Sequence, residues 1–220
     1  MRRVHPARRD LGPHWLKRAE QLTEGFGRVF TTNYDLLLYW VMMGRGRERF
    51  TDGFQRRDGP ETRLVFNEHF REGSTQVLFL HGALHLHQTP TEVVKAEAAP
   101  DHTLRAVLHE SLQGGVRPLF VSEGESRQKL SAIEGNPYLA FALEQLREGG
   151  GDLVTFGIGF SESDEHLLEA IAASPHYQRI FVGVHSPASG TVDRVRAKLA
   201  PWQEEVARRE LTFYSTENVL

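Results

Sequence analysis

The chain has 220 residues, no cysteine and a formal net charge of −3, with 25% of its residues charged and 40% hydrophobic. That is enough chain for one sizeable α/β domain, or one domain with an insertion, to bury a core. Disulfides and thiolate metal sites are excluded, and a charge balance this close to neutral argues against a broad electrostatic footprint for nucleic acid.

The amino-terminal MRRVHPARRD is basic, but no apolar run follows it, so neither a signal peptide nor a membrane anchor is expected. No stretch approaches the roughly 18 uninterrupted apolar residues of a spanning helix. The expectation is a soluble, cytoplasmic protein without internal repeats. Leu11, Trp15, Ala19 and Leu22 recur at helical spacing, with Pro13 near the start and Gly25 past the end, which predicts an amphipathic helix over 13–24.

A short apolar strand, Val29 to Thr31, then runs out at Thr32-Asn33-Tyr34-Asp35 and passes into Leu36 to Met43, a helix apolar all round that should be buried. The segment from Arg45 to Pro60 carries five arginines among glycines and reads as a solvated loop, the sharper alternative being a lid that grips phosphate. Strands are expected at Arg63 to Asn67 and Gln76 to Leu80, followed by the alternating Ala83 to His87, a half-buried strand or hairpin arm.

Thr91 to Gln113 reads as a helix broken at Pro100-Asp101, with Leu104, Val107, Leu108 and Leu112 as its stripe. Pro118 to Val121 is the next strand, and Ser126 to Arg147 is helical with a break at Gly135-Asn136-Pro137. Asp152 to Phe156 is a buried strand feeding Gly157 to Asp164 and a helix capped by Ser163 or Asp164. Arg179 to Val184, a helix over 191–206 broken at Pro201, and Leu211 to Ser215 complete the chain. Strands separated by helices along the whole length predict a Rossmann-like α/β fold, a mostly parallel sheet with helices on both faces. Residues 1–27 would be a basic tail and helix, and 28–220 the α/β domain.

In such a sheet the ligand site lies at the carboxyl ends of the strands, so the three strand ends that carry chemistry should share one edge. Asn33 offers an amide that donates and accepts, Asp35 an acceptor for hydroxyls, and Thr31 and Thr32 hydroxyls, a set suited to holding a sugar or positioning a water. The plainer alternative is that Asn33 and Asp35 cap the following helix.

His81 could serve as a base, or simply bond the backbone at a strand end. Gly157, Gly159 and Ser161 lie in a turn that opens a helix, where phosphate can sit, although the spacing is not the G-x-G-x-x-G fingerprint. His81, His85 and His87 also suggest a metal that activates water. Leu84 and Leu86 explain their alternation as a surface strand, so no metal is expected.

FTTNYDLLLYW, FLHGALHLH, PLFVSEG with Lys129 and Tyr138-Leu139 downstream, and GIGFSESDEHLL together resemble the sirtuin-like NAD-binding domains, most closely an uncharacterised bacterial branch. The resemblance covers about Arg28 to Val184. It implies NAD chemistry at the nicotinamide ribose. Asn33 would position the water or the ribose, Thr32 and Asp35 would line the ribose pocket, and His81 would be the general base. Gly157, Gly159 and Ser161 would lie against phosphate or the distal ribose. In relatives that act in defence against phage, this Asn and His pair cleaves NAD to nicotinamide and ADP-ribose.

Two departures accompany the resemblance. Sirtuin-like domains open on a strand and a glycine-rich turn of the kind G-A-G-x-S, whereas only a basic tail and one helix precede the Asn33 strand here. The expected fold therefore lacks the first strand and its turn. Without cysteine, the four-cysteine zinc module of protein deacetylases is excluded, and deacetylation is disfavoured. Two alternatives stand beside hydrolysis: a module that binds NAD, ADP-ribose or a partner without turnover, and a metal-dependent hydrolase on the histidine strand. A homo-oligomer, or a partner protein that supplies the absent strand, fits either NAD reading.

Overall fold

The computed structural model describes residues 8–44, 47–58, 63–96, 106, 113, 117–121, 124–185, 189–200, 209–217 and 219. They belong to two compact units, the first comprising Met1–Ser122 with Pro137–Leu139, the second Glu123–Asn136 with Ala140–Leu220.

The first unit is built on strand β5, Thr75–Phe79, whose Val77, Leu78 and Phe79 are at most 1% exposed. Burial on both faces needs an unbroken apolar run, which Val77-Leu78-Phe79 supplies, and each such side chain contributes about 1.5–3 kcal/mol. β5 is the middle of a three-stranded parallel sheet, with β1, Arg28–Thr31, on one side and the two-residue β2, Phe50–Thr51, on the other.

Helix α1, Pro13–Leu22, starts at proline, whose missing N–H costs nothing at that position. It packs near α2, Leu37–Met42. There Leu36, Tyr39, Trp40 and Leu84 form a buried cluster that Leu11, Leu16 and Met43 cover. The all-round apolar composition of α2 thus has the expected consequence. Among the described residues ahead of β1 there is a 3-10 turn and α1, and no strand.

The second sheet of this unit departs from the expectation of one mostly parallel sheet. Five strands pair antiparallel in the order β3-β4-β7-β6-β8: Phe54–Arg57, Arg63–Phe66, Val93–Lys95, Gly82–Gln88 and Arg117–Phe120. β3 lies inside the arginine segment read as a loop. Only its Phe54 is buried, while Gln55, Arg56 and Arg57 face solvent, as suits a charged edge strand.

The lid alternative for this segment also weakens. Arg49 pairs with Glu20 and Glu24 at 3.4 and 3.2 Å, and Arg57 pairs with Glu92. Val93–Lys95, expected as helix, is β7, held between β4 and β6 and tied by Lys95 to the buried Asp52 at 2.5 Å. Pairing with two neighbours overrides a three-residue local preference. The stripe from Leu104 to Leu112 and the breaks at Pro100-Asp101 and Pro201 lie outside the described residues.

Tyr138 closes this unit. Its ring meets Phe66 edge-on at 4.9 Å and Phe54 at 5.3 Å, and its hydroxyl accepts from the Phe79 N–H of β5 at 2.9 Å. Tyr138→Phe keeps the ring contacts and strands that buried N–H, so a loss of about 1–3 kcal/mol is expected in urea unfolding.

In the second unit β9, Gly150–Thr155, β10, His176–Val184, and β11, Glu210–Ser215, form a parallel sheet in the order β11-β10-β9. Helices α3, Ser126–Glu134, and α4, Pro137–Arg147, flank the Gly135-Asn136 break as expected. α5, Glu165–Ala173, joins β9 to β10, and α6, Ser189–Leu199, lies between β10 and β11; parallel neighbours require such crossovers. The chain is thus an α/β protein with two parallel sheets and one antiparallel sheet. Among the described residues no helix is long and apolar enough to cross a membrane.

Candidate functional site

Parallel pairing places the carboxyl ends of β1 and β5 side by side. Thr31 is in register with Phe79, and the Leu80 N–H donates to the Thr31 carbonyl at 2.8 Å. The residues that follow, Thr32-Asn33 on one strand and His81 on the other, therefore leave the same sheet edge together. Asn33 is exposed and Thr32 half-buried, while His81 is 4% exposed. The Asn33 main-chain N–H donates to the Thr31 side-chain Oγ1 at 3.1 Å, a bond in which the Asn33 side-chain amide takes no part.

Asp35 bonds within its own loop. Its Oδ1 accepts from the Leu37 N–H at 2.8 Å, in the manner of an Asx turn at the start of α2. Tyr34 bonds through its carbonyl to the Leu84 N–H at 2.9 Å, and the Val121 N–H donates to the His81 carbonyl at 2.8 Å. The Asn33 loop and the His81 turn are thus both pinned by main chain from the antiparallel sheet.

The third strand end belongs to the other unit and to a different sheet, which corrects the expectation that all three share one sheet edge. Gly157, at φ +68°, and Gly159 are both exposed. The Ser161 hydroxyl donates to Asp164 Oδ2 at 2.7 Å and lies 2.9 Å from Ser163 Oγ. Lys129 Nζ, on a residue 6% exposed, donates to Asp164 Oδ1 at 3.1 Å and Ser163 Oγ at 3.2 Å.

Asp164 occupies the N-cap position of α5, but its carboxylate serves Lys129 and Ser161 and makes no cap bond. Beside this network Ser126 Oγ accepts from the His166 N–H at 2.8 Å and lies 3.1 Å from its Nδ1. The sequence does not reveal Ser126 and His166 as partners. Their only signal is that Ser126, Lys129 and Ile133 share the buried face of α3 at three- and four-residue spacing.

A small cavity of about 20 Å³ lies in this second unit, lined by Thr155, Phe160, Leu168, Ile171, Ile180, Val182, Leu199 and Leu211. Its apolar lining and size, room for about one water, make it a packing gap beside the sheet and no seat for a nucleotide.

The histidine strand is not the surface strand expected. Gly82 to His87 are all buried, His85 completely. Neither ring nitrogen of His85 has a hydrogen-bond partner, and the ring packs against Tyr39 at 4.7 Å and Phe79 at 5.1 Å. Among the described residues no three His, Asp or Glu side chains gather as a metal would require.

Burial, aided by the Lys95 ammonium and by His87, holds the His85 pKa well below its ordinary value, and burial also lowers that of His87 despite an opposing backbone bond at Arg117. Below about pH 6.5 the unfolded chain therefore takes up protons that the folded chain refuses. Stability should fall with acidification by about 1.4 kcal/mol per pH unit for His85, from pH 6.5 down to its folded pKa. Urea unfolding between pH 7 and 5 checks this: His85→Phe, which keeps the ring contacts, should flatten the slope to the part that His87 contributes.

Among curated proteins none matches the chain. A family model spans residues 1–219, and the chain accordingly belongs to that family, DUF4917, a domain of unknown function.

Proposed function

We propose that the protein binds NAD at the shared edge of β1 and β5 and hydrolyses its nicotinamide glycosidic bond. The observation that carries this reading is the parallel register of Thr31 with Phe79, closed by the 2.8 Å bond from Leu80 N–H to the Thr31 carbonyl, because it brings Asn33 and His81 to one edge. The resemblance of the TTNYD, LHG and GIGFSESD motifs to sirtuin-like domains supplies the ligand. A Rossmann-like fold is part of the same proposal.

The roles follow from the side chains. Cleavage builds oxocarbenium character at C1′ of the nicotinamide ribose, so the sugar must be held rigidly. Asn33 can accept from a hydroxyl or water with its amide oxygen and donate with its nitrogen, and His81 can accept a proton on an imidazole nitrogen. The C1′–N bond breaks with its electron pair passing to the ring nitrogen. Water oxygen bonds to C1′, and its proton leaves through His81 to solvent. The products are nicotinamide, ADP-ribose and one proton.

One observation favours a second reading. His81 is only 4% exposed, so little of its imidazole is open to a substrate, which suits a site that binds NAD or ADP-ribose without turning it over. Incubating the full chain with NAD and separating the products distinguishes the readings. Equimolar nicotinamide and ADP-ribose are expected. Binding heat without product assigns the non-hydrolytic role, and neither heat nor product removes the NAD proposal.

A further inference from the structure

We infer that Tyr34 and Phe120 form a stacking platform for the positively charged nicotinamide ring, and that this platform makes the site prefer NAD+ to NADH; the inference rests on Asn33 and His81 handling the nicotinamide ribose. The two rings stack at 5.4 Å between centroids and 25° between planes. Each keeps more than a third of its surface open, 37% for Tyr34 and 38% for Phe120. A lone exposed aromatic residue calls for no explanation. These two come from distant parts of the chain and cover one another only partly.

Their position gives the pair its meaning. Tyr34 follows Asn33 directly, and Phe120 pairs across the ladder with Gly82, the residue after His81. Main-chain bonds lock both to the site: Leu84 N–H to the Tyr34 carbonyl at 2.9 Å, and Val121 N–H to the His81 carbonyl at 2.8 Å. Gly82 has φ +73°, and a Cβ there would lie 2.2 Å from the Leu119 carbonyl oxygen, so the close approach of β8 that places Phe120 depends on glycine. Tyr34 is one residue from Asn33, and Phe120 lies across the ladder from the residue after His81, so the platform borders the edge where the proposed sugar site lies.

That ring is a pyridinium in NAD+ and neutral in NADH. Aromatic faces are negative and attract a cation laid over them, an effect corresponding to about two- to thirtyfold in affinity. As the glycosidic bond breaks, the electron pair cancels the ring charge. The attraction is therefore stronger in the bound substrate than in the transition state, and its loss should raise KM without lowering kcat.

The experiment is calorimetry of the full chain with NAD+ and with NADH, for the wild type, Tyr34→Leu, Phe120→Leu and Tyr34→Trp, with thermal unfolding to verify the fold of each. The expected result is a wild-type preference for NAD+ that falls about two- to thirtyfold in the leucine variants and is kept or increased by Tyr34→Trp. An unchanged NAD+ to NADH ratio in folded leucine variants overturns the platform while leaving the NAD site standing. A wild type that binds neither nucleotide overturns both.

Discussion

Asn33→Ala is expected to slow nicotinamide release from NAD by about 10²- to 10³-fold, and His81→Gln by about 10²- to 10⁴-fold. On the proposed roles, the first loss is that of the amide beside the developing charge, the second that of the proton acceptor. Because Asn33 is exposed and the bond from its backbone N–H to Thr31 Oγ1 survives the change, Asn33→Ala should leave the melting temperature unmoved. His81 is buried, so glutamine, which keeps a polar side chain, is the better substitution there. Two groups acting on one sugar should not be additive: the double variant should be little slower than the worse single one. Quantifying nicotinamide under saturating NAD checks each rate. Rates within a factor of about three of wild type for both single variants would remove Asn33 and His81 from the chemistry.

Gly82→Ala should produce the largest loss of stability, about 3–5 kcal/mol against the 5–15 kcal/mol that holds an average domain together. A left-handed backbone costs a residue with Cβ about 1–2 kcal/mol. The remainder comes from the clash, since the new methyl would lie 2.2 Å from the Leu119 carbonyl oxygen and 3.0 Å from the Phe120 Cα. Those are backbone atoms of β8, and they cannot yield without opening the β6–β8 ladder. Gly73 provides the control. Its φ is +74°, and beyond its chain neighbours no heavy atom lies within 4 Å of where a methyl would stand, so Gly73→Ala should cost only the conformational part. Urea midpoints for the two variants separate the close approach from the backbone strain, and Gly82→Ala should also loosen the Tyr34–Phe120 stack.

Several features were legible because they are written within one element. The apolar run Val77-Leu78-Phe79 specifies a strand buried on both faces, and β5 is one there. The apolar helix after Asp35 is buried, and Gly135-Asn136 separates α3 from α4, which starts at Pro137. The parallel pairing of β9, β10 and β11 follows from the helices between them. Candidate residues at strand ends could be named for the same reason, since a strand and the polar residues that end it are contiguous.

What the amino-acid order determined by itself, then, is which segments are strand or helix wherever periodicity or an apolar run is strong, and which polar residues follow them. Only the tertiary structure decided who pairs with whom. The arginine segment became an edge strand because β4 offered it hydrogen bonds, and Val93–Lys95 became β7 because strands lie on either side. Likewise His85 is buried because Tyr39 and Phe79 close over it, Asp164 turns from its helix to Lys129, and Tyr34 stacks on Phe120. The physical reason is common to all of these. Local pattern sets how a segment folds on itself, whereas strand pairing, burial and charge partners depend on residues distant in sequence, whose contacts exist only once the chain has closed.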